Sequence, residues 1–290
     1  LYDSNRGAPY ELSSNLTSAE SSGDLTAFNT SGFTINQTSS YNINVTGDAY
    51  VAWQWQAGKG TTSSNTNGSI TSIVSVNATA GFSVQTWTGN GGGTVGHGLG
   101  VVPNFIICKS RNTTSTLWWT YHSSAPGQYF YLNSTSGANA DGGSVFGNNS
   151  VAVAPTSSVF SVGSSNGASG YTMVSYTWAA IAGFSSFGSY TGNGSTSGPF
   201  VYTGFQPRYI LIKRTDSTSD WYVWDTARNT YNTGASYLLT DSSNAEATSS
   251  TVNTLANGFN IVNASTVNAS GGTYIYAAFA SNPFKNSLAF

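Results

Sequence analysis

Asp225 and Glu246 are the residues of this chain best placed to do chemistry. A glycosidase needs two carboxylates a fixed distance apart, one to protonate the leaving oxygen and one to act as nucleophile or base. With 11 acidic residues in 290, few such pairs exist. The pair recurs, however, as Asp3 and Glu20, and each copy carries an arginine, Arg228 or Arg6. Catalytic pairs are seldom duplicated within one chain, whereas Arg228 with Glu246 and Arg6 with Glu20 suit charge-assisted bonds that tie a loop to a scaffold. These four residues are expected to form structural ion pairs, and no catalytic residue is expected. Asp141 lies near the acidic position of a middle copy, without a clear arginine partner.

Other reactive types give weaker signals. A serine nucleophile needs a setting such as G-x-S-x-G before a helix, and none appears. Cys108, the only thiol, aligns with Ile212 in an apolar run and is expected to be a buried core residue. His97 and His122 have no His, Cys or carboxylate at metal spacing, so neither a metal site nor a cofactor is expected. The stretch TGNGGG at 88–93 returns as TGNGST at 191–196. A phosphate loop needs a strand before it and a helix after it. Here turn residues and another strand-like run follow, so a hairpin turn is expected, with Asn-Gly supplying positive backbone angles.

The aromatics are the remaining candidates. Trp118, Trp119 and Tyr121 match Trp221, Tyr222 and Trp224 in the next copy. Strand alternation sends one face of each run into the core and leaves the other free to stay outside. An outward ring beside Asn, Ser and Thr is suited to stack on an uncharged sugar, so these six residues are the candidate ligand contacts.

The elements that must position these residues come from a repeat. GFSVQTWTGNGGG (81–93) aligns with GFSSFGSYTGNGS (183–195), VPNFIICKSR (102–111) with QPRYILIKRT (206–215), and LWWTYH (117–122) with DWYVWD (220–225). The offset stays near 183 minus 81, or about 102, a domain-sized period. Residues 31–58 match the second half of each unit, so the chain opens inside a repeat whose first strands are absent. The expected organisation is a partial repeat at 1–57, a polar linker and strand at 58–79 whose stretch AGKGTTSSNTNGS reads as flexible, and complete repeats at 80–182 and 183–290, the last with a C-terminal tail.

Apolar runs of four to eight residues rich in Val, Ile, Tyr, Phe and Trp, bounded by Gly, Asn, Ser and Pro, read as strands, and no amphipathic helix is evident. In PRYILIKR, Tyr209 and Leu211 face one side and Ile210 and Ile212 the other, which marks a central strand covered on both faces. The expected fold class is all-β, tandem jelly-roll-like β-sandwich repeats of about 100 residues. Composition excludes other classes. Charged residues are 7% and net charge is -2, which gives no footprint for nucleic acid or anionic lipid. No apolar run is long enough for membrane insertion.

The strings YTGNGS, PFVYTGFQPRYILIKRTDSTSDWYVWDTARN and NASGGTYIYAAFASNPFK resemble the tandem repeats of tail-fibre-like proteins of marine bacteriophages, cyanophages among them, over essentially the whole chain. The resemblance implies a virion surface protein, made in the host cytoplasm, that touches a host cell-surface glycan or envelope receptor beside other virion proteins, often as a homotrimer. The expected function is a non-enzymatic fibre or adhesin. Its rivals are a structural virion protein, such as a capsid decoration or tail ornament, and a polysaccharide-degrading tailspike using Asp225 and Glu246.

Overall fold

The computed structural model describes residues 1–36, 43–229, 233–263 and 266–280. Residues 281–290, and with them the expected C-terminal tail, lie outside the described residues. The described elements are strands joined by turns, with no helix among them. Two eight-stranded antiparallel sheets account for most of the structure, one in each complete repeat, the first of them extended by two strands from residues 58–79.

The last unit shows the strand order most directly. Its eight strands in chain order are Ser185–Thr191, Phe200–Tyr202, Pro207–Arg214, Trp221–Asp225, Thr233–Leu239, Ala247–Leu255, Gly258–Ile261 and Thr273–Ala280. In space they run first, eighth, third, fourth, fifth, sixth, seventh, second. The middle unit uses the same order. Phe82–Thr88, Thr172–Trp178, Phe105–Ser110, Trp119–His122, Gln128–Tyr131 and Asn139–Ala140 lie side by side, and Val159–Val162 pairs separately with Gly93–Gly96. The pairing of strands one, eight and three, and of seven with two, is jelly-roll-like. The run three-four-five-six is instead a meander, so the fold is a sandwich with its own topology.

Each unit closes a core between these two layers. In the last unit Ile210, Ile212, Trp224 and Tyr274 meet Val201, Phe259 and Ile261. In the middle unit Ile106, Cys108, Tyr121 and Met173 meet Val95, Phe160 and Val162. Cys108 is fully buried, and burial pushes its thiol up to about 12. Pro207–Arg214 pairs on both edges, and Tyr209 and Leu211 face away from Ile210 and Ile212 as alternation requires.

A third cluster lies on the opposite faces of both main sheets. It joins Leu12 with Val84, Ile107 and Trp118, continues through Phe105 and Phe279, and takes in Leu211, Trp221 and Ala277. Trp55 of the partial first repeat stands in its midst, with ring centroids 5.9 Å from Trp178, 5.4 Å from Tyr209 and 5.3 Å from Phe279. The three repeats thus share one interior.

Two expectations need correction. The linker read as flexible is part of the sheet: Ser63–Asn65 pairs with Ser72–Asn77, which pairs with Phe82–Thr88. The strand expected in 58–79 is Ser72–Asn77, and the Ser/Thr/Asn content hid the short Ser63–Asn65 strand before it. The TGNG stretches are bends, but not hairpin turns. Strands 82–88 and 93–96 lie in different sheets, and 185–191 and 200–202 at the two opposite edges of one, so the bend carries the chain across the sandwich. Only the glycine of the Asn-Gly pair takes a positive φ, 102° at Gly91 and 66° at Gly194. The bend is bonded to the loop before the eighth strand, through Gly91 N–H to Gly167 O at 2.8 Å and Gly194 N–H to Asn268 O at 2.9 Å.

That close approach sets a test. A Cβ at Gly89 or Gly192 would stand 2.2 or 2.4 Å from the carbonyl oxygen of Ala168 or Ala269. Gly89→Ala and Gly192→Ala are each expected to cost roughly 3 kcal/mol, read by urea denaturation. Gly32→Ala, where a Cβ meets nothing and φ is ordinary, should be close to neutral.

Candidate functional site

The six aromatic candidates are all buried, the most exposed, Tyr222, showing 8% of its surface. Trp119, Tyr121, Tyr222 and Trp224 point into the cores of their units, and Trp118 and Trp221 into the shared cluster. The expectation of outward rings on these strands does not hold, because both faces of each sheet are covered. Trp119 lines a groove of about 280 Å³ beside Leu117, Tyr131 and Tyr171.

Trp118 and Trp221 instead make the most regular feature of the chain. Trp118 donates its indole N–H to Ser13 O at 2.9 Å, Lys109 Nζ donates to Thr17 O at 3.0 Å, and Glu20 N–H donates to Arg111 O at 2.7 Å. One repeat later Trp221 donates to Tyr131 O at 2.9 Å, Lys213 Nζ to Thr135 O at 2.9 Å, and Ala138 N–H to Thr215 O at 2.7 Å. The partners 13, 17 and 20 keep the spacing of 131, 135 and 138. In each case an arm from one repeat lies along the sheet of the next. Its apolar residue, Leu12 or Phe130, is packed into the shared cluster.

The two lysines, unremarked in the sequence, are central here. An ammonium taken out of water is costly unless its protons are bonded. Both lysines are fully covered, and burial pushes each down to about 8. Lys109 also donates to Thr116 Oγ1 at 2.9 Å, and Lys213 to Ser219 O. The signal was present in FIICKS and ILIKR, where a charge recurs inside an apolar strand.

Both expected ion pairs are formed. Arg6 meets Glu20 at 2.8 Å and Asp3 at 2.5 Å, and Glu20 also takes Arg111 of the next repeat at 2.8 Å. Tyr176, across the junction, donates to Asp3 at 2.8 Å and accepts from Arg6 at 3.0 Å. Arg228 meets Glu246 and Asp225, each at 2.7 Å. Asp225 further accepts from Ala227 N–H, Arg228 N–H and the Trp53 indole. Its oxygens are filled by donors, leaving none to attack or protonate a sugar. Asp141 caps its own loop, accepting from the N–H groups of Gly143 and Phe146 at 2.8 and 2.6 Å.

In the middle repeat His122 stands where Asp3 and Asp225 stand. Its Nδ1 accepts from Ser124 N–H at 3.1 Å, as Asp225 accepts from Ala227 N–H. Its Nε2–H donates to Tyr276 O of the last unit at 3.0 Å. Burial pushes its pKa down to about 4. His97 makes the matching contact within its loop, with Leu99 N–H on Nδ1 at 3.2 Å. Among the described residues no cluster of three His, Cys, Asp or Glu side chains could hold a metal.

Exposed aromatics remain at a place the sequence did not mark. Phe200 and Tyr202, on the edge strand of the last sheet, are 49% and 67% exposed.

Two measurements test the junctions. Trp118→Phe and Trp221→Phe keep most of the ring volume but strip a donor from a covered carbonyl, so each should cost about 1–3 kcal/mol in urea denaturation, by similar amounts. For His122, the unfolded chain takes a proton near 6.5 and the native ring only near 4. Between these values the unfolded state binds more protons, so stability falls as pH drops through the window, by about 3 kcal/mol in total. His122→Asn should flatten that slope.

A family model described as a domain of unknown function (DUF7483) matches residues 1–283. No curated protein and no solved structure matches the chain.

Proposed function

We propose that this chain, which belongs to the DUF7483 family, is a non-enzymatic attachment module of a virion, a serial β-sandwich fibre that holds a receptor-binding surface away from the particle. The reading rests on one observation, the junction made twice with the same donors and the same spacing of acceptors. Units clamped by a buried indole and a buried ammonium act as a stiff array, not as beads on a string. Such an array sets a fixed distance between what anchors it and what it touches. The resemblance to phage tail-fibre repeats supplies the biological setting, a homotrimer on the virion surface. A surface built from Ser, Thr, Asn and Gly with 7% charge favours uncharged host glycans as receptors. Weak contacts multiplied by copy number then give avidity.

The interlock favours one rival as well, a capsid decoration or tail ornament, which also needs rigidity. Hydrolysis is the least favoured reading, because Arg228, two backbone N–H groups and an indole occupy Asp225.

Particle microscopy with an antibody to the chain separates these readings, with label expected at the fibres. Label spread over the head would support the decoration instead. Incubated with host polysaccharide, the chain should release no reducing ends. Release that disappears in Asp225→Asn would establish the tailspike.

A further inference from the structure

The edge strand Phe200–Tyr202 differs from its counterpart in a way the repeat makes visible. In the middle unit Val95 pairs with Phe160, as Val201 pairs with Phe259 in the last. Thr94 and Gly96 therefore stand where Phe200 and Tyr202 stand. That earlier edge is closed by the linker. Ile70 N–H donates to Thr94 O at 2.9 Å, Ser72 Oγ to Gly96 O at 2.8 Å, and a Cβ on Gly96 would meet Asn65 at 2.1 Å. In the last unit no described segment lies on the edge, and the small residues are replaced by two aromatic rings.

We infer that Phe200 and Tyr202 form a binding platform for neutral saccharide. The inference rests on the attachment reading and names its contact site. Residues two apart on a strand project from the same face, about 7 Å from one another along it. The Phe200 ring lies across Gly258, whose missing side chain gives it room: a Cβ there would be 2.9 Å from the ring. Part of the ring therefore rests on the sheet, and about half of the residue stays exposed for stacking. Beside it, in register with Phe200, is the half-buried Asn260, a neutral amide. No Asp, Glu, Lys or Arg occurs in 195–206 or 251–263, the segments that form this face. Apolar rings with neutral acceptors fit an uncharged sugar, not an acidic one.

Addition of a protein strand is the competing use of an open edge. The edge is blunted against it. It has three residues, it follows Pro199, and the Tyr202 carbonyl already accepts from Tyr276 Oη at 3.5 Å.

The full chain is tested on a printed array of neutral and acidic oligosaccharides, followed by titration with the best neutral glycan. The wild type should bind neutral glycans, and the double variant Phe200→Ala/Tyr202→Ala should bind at least tenfold more weakly with an unchanged thermal midpoint. Tyr202→Trp should retain binding. Wild-type binding that survives the double substitution overturns the platform and leaves the attachment reading standing, as does a loss caused by Tyr171→Ala, which would move the site to the Trp119 groove. Absence of wild-type binding to any glycan overturns both. A double variant that loses self-association in sedimentation, with glycan binding intact, marks the edge as a protein contact and also refutes the platform.

Discussion

The structure depends on two kinds of buried donor reaching across a repeat boundary. Lys109 and Lys213 each carry an ammonium into a covered position, and Trp118 and Trp221 each carry an indole N–H there. Neither group is stable in such a place without an acceptor. The acceptors are main-chain carbonyls of the preceding repeat's arm, so each unit is satisfied only when its neighbour is docked. Each indole removes on the order of 150–250 Å² from water, which at about 25 cal/mol per Å² is an upper bound of ~4–6 kcal/mol per junction. Hydrophobic burial provides the strength, and the polar bonds provide the register.

The ion pairs refine this arrangement without replacing it. In the first junction Glu20 is gripped by arginines of two repeats, and Arg6 and Asp3 reach Tyr176 across the boundary. In the second, His122 takes over the turn-capping role of the aspartate and adds a bond to Tyr276 O. The middle repeat has Ala125 where the other two have arginine, so the ion pair is absent there and a neutral ring takes its place. Repetition has thus kept the geometry of the cap while changing its charge.

Much of this was legible in the sequence, for physical reasons. Alternation in PRYILIKR told which residues face which side, because a strand has a period of two. The pairing of Arg228 with Glu246 followed from its recurrence as Arg6 and Glu20. Strand order was not legible, since a bend such as TGNG looks the same whether it joins paired strands or crosses between layers. The fate of the aromatics was also hidden. Alternation tells which residues share a face but not that a neighbouring repeat covers the second one. The platform at Phe200 and Tyr202 lay in a string quoted only for its likeness, and its meaning came from comparing a closed edge with an open one.

A consequence concerns how the chain holds together as a whole. In solenoids each repeat contacts only its immediate neighbours. Here the interior between sheets extends from Leu12 to Phe279, with Trp55 of the first repeat touching residues of both others. Removing the first or the middle repeat would uncover apolar sheet faces on the next and strand its buried ammonium and indole. The units are therefore not interchangeable beads whose stabilities add. They are parts of a continuous body, and that coupling, more than the strength of any single contact, is what a force-bearing fibre would need from its sequence.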